Sequence, residues 1–198
     1  MNSQSRQNPL ILASSSAYRM GLLKRLGIPF SCQAPAVSEL PLPGEAASAL
    51  THRLALAKAN SIADSNPSAV IIGSDQVGEC KGRTVNKPGG AVDAVAQLLQ
   101  LSGQTVNFHT AVAVVCAATG FCRTAQVETE VRFRILEEDE ARRYVEWDRP
   151  LDCAGSFKAE SAGPALMEAM ISNDPTAIIG LPLISLAGLL RAAGYQLP

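Results

Sequence analysis

Three clusters of polar residues could do chemistry, because each sits directly after an apolar strand or before a helix. Ser14-Ser15-Ser16 follows the run Pro9-Leu10-Ile11-Leu12-Ala13, and Arg19 comes one turn later. A helix that begins at Ser15 or Ser16 presents N–H groups and the positive end of its dipole, which attract phosphate, and an arginine adds a charged fork. The same residues also read as a plain N-cap beside a surface arginine. Asp75, in Gly73-Ser74-Asp75-Gln76, closes the apolar run that begins at Ala69. A carboxylate there is a metal ligand, a general base or the former of an Asx turn. Glu39, in a Pro-rich loop, offers a second hard oxygen donor, and together with Asp75 it could hold Mg²⁺ against phosphates. The third cluster is Lys58, Lys87 and Lys158, each beside small or rigid neighbours. Isolated lysines are usually solvated. Lys58 differs, because Leu54, Ala57, Ala59 and Ile62 surround it on its helix, a costly place for an unpaired charge.

Several chemistries are excluded by what is missing. There is no G-x-x-x-x-G-K-[ST] phosphate loop, no G-x-G-x-x-G turn, no G-x-S-x-G elbow and no H-E-x-x-H pair. His52 and His109 lack ligand-like spacing and read as structural or surface residues. Cys153 has no histidine nearby in sequence and is expected to be a buried, inert thiol. With 17 basic and 18 acidic residues the net charge is -1, which leaves no general field to hold a nucleic acid, so any phosphate must be gripped locally. Five scattered cysteines without a C-x-x-C pair fit a reducing compartment. No secretory leader pattern opens the chain and no apolar run reaches about 18 residues, so a cytoplasmic protein without membrane contact is expected.

The elements that must position these residues follow from periodicity and punctuation. Residues 9–13 read as a buried strand, and a helix from Ser15 or Ser16, with Tyr18, Leu22, Leu23 and Leu26 on one face, stops at Gly27 and Pro29. A second strand is expected over 28–34, then a loop with Pro35, Pro41 and Pro43, then a helix over 45–63. Residues 69–76 read as a central strand whose polar end is where open α/β sheets place ligands. Helices are predicted over 91–101, 137–147 and 182–193, with a long β-hairpin of 106–118 and 121–135 turning at Thr119-Gly120. A mobile stretch is expected around Ser161 and Gly163. No linker or repeat divides the chain, so residues 1–198 are expected to form one mixed α/β domain, with two lobes around a cleft.

In order and spacing these clusters resemble the Maf family of nucleotide pyrophosphatases. The resemblance rests on Leu10-Ile-Leu-Ala-Ser-Ser-Ser-Ala-Tyr-Arg19, Val37-Ser38-Glu39, Arg53-Leu-Ala-Leu-Ala-Lys58-Ala59, Ile71-Ile-Gly-Ser-Asp-Gln76, Asn86-Lys-Pro88, Cys153-Ala-Gly-Ser-Phe-Lys158 with Glu160, and Ile179-Gly-Leu-Pro-Leu183. It implies a strongly twisted mixed sheet flanked by helices, the fold shared with inosine triphosphatases. It also implies hydrolysis of a nucleoside triphosphate to the monophosphate and pyrophosphate, with Asp75 as general base. The metal, Mg²⁺ or Mn²⁺, would be held by Glu39 and Asp75, and the phosphates by Ser14, Arg19, Lys58, Lys87 and Lys158. Tyr18, Gln76 and Glu160 resemble the branch acting on 7-methyl-GTP. An anionic Glu160 and a stackable Tyr18 suit a cationic N7-methylguanine. The family also implies alternatives: a pyrophosphatase for dTTP and UTP or for inosine-type triphosphates, or a non-catalytic nucleotide-binding regulator of division. It implies a homodimer as well. Ser161 stands where the family often has glycine, and Met20 where other branches carry a second basic residue.

Overall fold

The computed structural model describes residues 8–197. Its elements run β1 (Leu10–Leu12), α1 (Ala17–Lys24), β2 (Ser31–Cys32), α2 (Ala47–Ala63), β3 (Val70–Cys80), β4 (Arg83–Val85), α3 (Ala91–Leu101), β5 (Thr105–Cys116), β6 (Phe121–Phe133), α4 (Glu138–Asp148), β7 (Met167–Ser172) and α5 (Leu183–Ala192). The seven strands form one mixed sheet in the order β2-β1-β3-β5-β6-β7, with β4 paired to β3 off that path. β1 runs parallel to β2 and to β3, whereas β3-β5, β5-β6 and β6-β7 are antiparallel. The expected mixed α/β sheet with a long hairpin is therefore the fold.

Alternation along β3 sorts its side chains between two layers. Ile71 packs with Ala55, Ala59 and Ile62 of α2, while Val70 and Ile72 pack with Leu22 and Leu23 of α1 and Leu186 and Leu190 of α5. A third cluster, around Phe108, Phe133 and Phe157, gathers α3, α4 and the far part of the hairpin. Helix α2 lies unusually close to β3 because Gly73 has no side chain: a Cβ there would stand 2.1 Å from the Ala55 carbonyl oxygen and 2.7 Å from the Ala59 nitrogen. This close approach carries Lys58 to the height of Asp75.

Three expectations are corrected. Asp75 does not end its strand: β3 continues to Cys80, held by the register Gln76↔Thr110 to Glu79↔Asn107 against β5. The strand expected over 28–34 contracts to Ser31–Cys32, an exposed edge whose neighbours Pro29 and Pro35 cannot donate to a ladder. The stretch around Ser161 is tied down, since Asp148 accepts hydrogen bonds from Ser161 Oγ (2.7 Å) and Ala162 N (3.2 Å). Strands β4 and β7 were not foreseen.

Candidate active site

The sheet leaves a notch beside Asp75. On one flank of β3, β1 pairs only as far as Leu12↔Ile72, and β4 begins pairing at Gly78. Residues 73–77 therefore face a gap at the carboxyl end of β1, next to the change from parallel to antiparallel pairing. Open α/β sheets bind ligands where such edges part. A cavity of about 570 Å³ occupies this place, within the usual range of small-molecule sites. Ser14, Ser15, Ser16, Tyr18, Arg19, Glu39, Lys58, Asp75, Gln76, Lys87, Asp152, Cys153 and Glu160 contribute to its lining.

The centre of the cavity is a three-member ion cluster. Lys58 Nζ lies 2.6 Å from Asp75 Oδ1 and 2.7 Å from Glu39 Oε1. The Lys58 and Asp75 side chains are only 6% and 8% exposed, while Glu39 is 63% exposed. The costly lysine of the α2 face is thus paired. Burial pushes the Asp75 carboxyl above its ordinary value, and the neighbouring Glu39 adds to that rise, against the opposing pull of Lys58 and Arg19. Burial also acts to raise Glu39, but the hydrogen bond and charge of Lys58, with Arg19 and Lys87, hold it below its ordinary value. Two carboxylates in one site have been driven apart in acidity, the pattern expected when one is to carry a proton and the other to stay charged. The Asx-turn alternative for Asp75 is excluded, because the residue sits within a paired strand.

Of the phosphate-binding candidates, Ser14, Arg19, Lys58 and Lys87 line this cavity. Ser16 caps α1, accepting from Arg19 N, and Ser14 Oγ accepts from Ser16 N at 3.1 Å, which orders the turn from β1 into the helix. Arg19 Nε donates to the Gly180 carbonyl oxygen at 2.8 Å, and Ser74 Oγ reaches the same oxygen at 2.9 Å. Gly180, with φ 113, can take this backbone position because it lacks a Cβ. Lys87 is exposed at the rim. Lys158 is placed differently from the other cations: it is not among the lining residues, and its Nζ donates to the Asp148 carbonyl oxygen at 2.6 Å.

The lining also carries acidic and aromatic side chains away from the ion cluster's own pairings. Tyr18 Oη donates to Asp152 Oδ1 at 3.0 Å, and Glu160 lies on the same wall. Burial, and the charges of Asp152 and Glu160, push the half-buried Cys153 thiol up to about 11 despite a contact with Tyr18, so it stays protonated. Gln76 Nε2 is bound by the carbonyl oxygens of Ala177 (2.8 Å) and Ile178 (3.0 Å) and by Thr110 Oγ1 (3.1 Å), which fixes its orientation. Asp152 and Gly180 had not been singled out from the sequence. Both contacts span more than a hundred residues, so neither partner could be read locally, although Gly180 lies within the stretch Ile179-Gly-Leu-Pro-Leu183.

The chemistry of the donor set can be tested against a divalent metal. Two carboxylates already converge on one positive charge, and hard oxygen donors of this kind suit Mg²⁺ or Mn²⁺. Among the described residues no group of three or more His, Cys, Asp or Glu could hold a metal alone. The set thus fits an ion that keeps waters and completes its shell with substrate phosphate oxygens, as Mg²⁺ prefers.

Fold and site together define a small-molecule phosphate-handling α/β protein: a helix N-terminus, an arginine and lysines surround a buried carboxylate in a sheet notch. The chain belongs to the Maf family, since residues 9–193 match the family described as Maf-like protein. It is 50% identical over 193 residues to the 7-methyl-GTP pyrophosphatase of Aromatoleum aromaticum, covering 98% of this chain and 100% of the relative. It is 50% identical over 189 residues to the protein of that name from Polaromonas sp., covering 96% and 86%. The counterpart from Albidiferax ferrireducens is 47% identical over 190 residues, covering 96% of each. Among the described residues, no helix is long and apolar enough to cross a membrane.

Proposed function

We propose that this chain hydrolyses 7-methyl-GTP to 7-methyl-GMP and pyrophosphate, with Asp75 as general base. The observation that carries the reading is a buried carboxylate with a raised pKa, hydrogen-bonded to Lys58 and facing a cavity that also holds Ser14, Arg19 and Lys87. A pure binder needs the cations but has no use for such a base. Full-length relatives at about half identity bear the name of this activity.

The chain's residues divide the work. The α1 N-terminus with Ser14, together with Arg19, Lys58 and Lys87, holds the triphosphate oxygens. Asp75 accepts the proton of a water whose oxygen bonds to the α-phosphorus, and the bond from that phosphorus to the bridging oxygen breaks, with pyrophosphate leaving in line. In the metal-free site burial raises the Asp75 pKa towards neutral, where a base is most effective. Glu39 and Asp75 would hold Mg²⁺ or Mn²⁺, which when bound neutralises charge on the phosphate oxygens. Lys158 secures the loop before Glu160 through Asp148. Tyr18 and Glu160 in the lining suit the cationic base, and Gln76 offers a side chain fixed in place by the 177–178 carbonyls.

The test is pyrophosphate release from a panel of triphosphates. We expect 7-methyl-GTP to be turned over with higher kcat/KM than GTP, UTP, dTTP or ITP. Asp75→Asn should lower kcat by about two orders of magnitude or more, the usual weight of a general base. UTP or dTTP hydrolysed at least as well as 7-methyl-GTP would overturn the substrate, and a fully active Asp75→Asn would overturn the base.

A further inference from the structure

Glu39 occupies an unusual position for a metal ligand. Its side chain is 63% exposed, and it sits in a segment with no helix or strand between Cys32 and Ala47. Such a loop would ordinarily have to be ordered each time the ligand binds, which weakens binding. The structure supplies a fixed support instead. Arg53 Nε and Nη2 donate to the two oxygens of Glu45 at 2.6 and 2.7 Å, and Nη2 also donates to the Leu40 carbonyl oxygen at 3.1 Å. Glu45 Oε2 in turn accepts from Leu42 N at 2.9 Å, and Glu45 N donates to the Leu42 carbonyl oxygen at 3.0 Å. One guanidinium therefore ties the loop at the residue next to Glu39 and again at the approach to α2. The Glu45 side chain is 8% exposed and that of Arg53 33%, so the fork stands at the surface with its carboxylate covered and its guanidinium partly open to water.

Both ends of this arrangement stand on the same helix. Arg53 and Lys58 are five residues apart on α2, roughly 7.5 Å along its axis. Lys58 meets the Glu39 carboxylate while Arg53 grips the backbone beside it. A bidentate arginine–carboxylate fork defines direction as well as distance, which a lone lysine does not.

We infer that the Arg53–Glu45 pair is a positioning device that holds the Glu39 carboxylate against the Lys58–Asp75 end of the cavity, ready to take a divalent cation. Arg53 and Glu45 act through Glu39 rather than on the substrate. The inference rests on Glu39 being a metal ligand, as read above.

The experiment measures Mn²⁺ binding to the full-length protein saturated with a non-hydrolysable triphosphate analogue, corrected for the ion held by the analogue alone, from the electron paramagnetic resonance signal of the free ion. Wild type, Arg53→Met, Glu45→Gln and Glu39→Gln are compared. We expect Arg53→Met and Glu45→Gln each to weaken Mn²⁺ binding by about 10- to 100-fold, the range for loss of a partner behind a metal ligand. The double variant should be no weaker than either single one, because both remove one clasp. In turnover assays the defect should appear as a higher Mn²⁺ concentration at half-activation, with a smaller change in kcat at saturating metal. Cleavage after Glu39 by a glutamate-specific protease should also speed up without metal. If Glu39→Gln loses Mn²⁺ while Arg53→Met and Glu45→Gln bind it as wild type does, the positioning inference is overturned and the reading of Glu39 stands. If Glu39→Gln binds Mn²⁺ normally, that reading of Glu39 falls instead. Should Arg53→Met fail to fold, the near-isosteric Glu45→Gln decides the matter alone.

Discussion

Replacing Lys58 by methionine keeps the length and apolar stem of the side chain and deletes the charge between Asp75 and Glu39. In the wild type the ammonium lies 2.6 and 2.7 Å from the two carboxylates, and both it and Asp75 are almost fully enclosed. Removing one member of a buried pair costs about 3–5 kcal/mol, because the remaining charge has no solvent to replace its partner. Glu39 adds little to that figure, being largely exposed. For a chain of this size about 2–4 °C accompany each kcal/mol, so the melting temperature should fall by roughly 6–20 °C at neutral pH without metal. Two further arms identify the cause. The Asp75 pKa is already raised by burial, and loss of Lys58 removes a charge that opposes the rise. A carboxyl whose folded pKa exceeds the unfolded one contributes stability that is present below the unfolded pKa and lost as pH rises through the folded pKa. Lowering the pH from neutral through the raised Asp75 pKa should therefore recover stability in Lys58→Met more than in wild type. Added Mg²⁺ or Mn²⁺ should also stabilise the variant more than the wild type, since the cation would stand where the ammonium stood. The assay is calorimetric melting over pH and metal concentration. A variant that melts within about 1–2 °C of wild type and ignores both treatments would refute the convergence of the two acids.

Other expectations follow from single contacts. Gly73→Ala would set a methyl group 2.1 Å from the Ala55 carbonyl oxygen, against backbone that cannot step aside; we expect a loss of about 1–3 kcal/mol or more in chemical denaturation, and weaker nucleotide binding as α2 moves off β3. Arg53 draws the Glu45 carboxyl from its ordinary 4.5 down to about 2, helped by the Leu42 N–H. Stability from that depressed group is present above 4.5 and lost as pH falls towards 2, so glutamate-specific or acid-active proteases should cut the 35–46 loop progressively faster across that window in wild type, with Glu45→Gln showing no such dependence. Alkylation of Cys153 should be slow at pH 7 and rise only as the pH approaches about 11, as measured by mass spectrometry.

The helices and the hairpin were legible because their signals are local. The Ala91–Leu101 helix and the turn at Gly120 are announced by period and punctuation within a dozen residues. Lys58 was legible by cost: an ammonium on an apolar helix face must find a partner, and it found two. What was not legible depends on distant chain. Asp75 looked like a strand end because Ser74, Asp75 and Gln76 are polar in succession, yet β5 continues the ladder; Ser74 and Gln76 are satisfied across it and from the 177–180 turn, and Asp75 by Lys58 of α2. The Ser161 stretch looked loose because its anchor, Asp148, lies on another element. Lys158, grouped with the phosphate ligands by its motif, bends to that same residue's carbonyl. The Arg53 fork lay inside a recognised stretch, but nothing local to it names Glu45 and Leu40 as its partners.

A near-neutral chain can hold a tetra-anion because the sheet brings side chains from both of its faces to one gap. Along β3 the odd positions Gly73 and Asp75 look towards α2 and the even positions Ser74 and Gln76 towards the 177–180 turn. In a fully paired strand those two sets would be separated by the sheet itself. Here β1 stops after three residues and β4 pairs with β3 only from Gly78 on, so a molecule entering edge-on can meet Asp75 of one face and Gln76 of the other, both of which line the cavity. On the proposed reading the half-buried Arg19 of α1 and the buried Lys58 of α2 would act on a bound phosphate at short range, where each counts for more than in bulk water, with Lys87 at the exposed rim. With no net positive charge to draw an anion in, a local field of this kind is what the chain has to grip a phosphate.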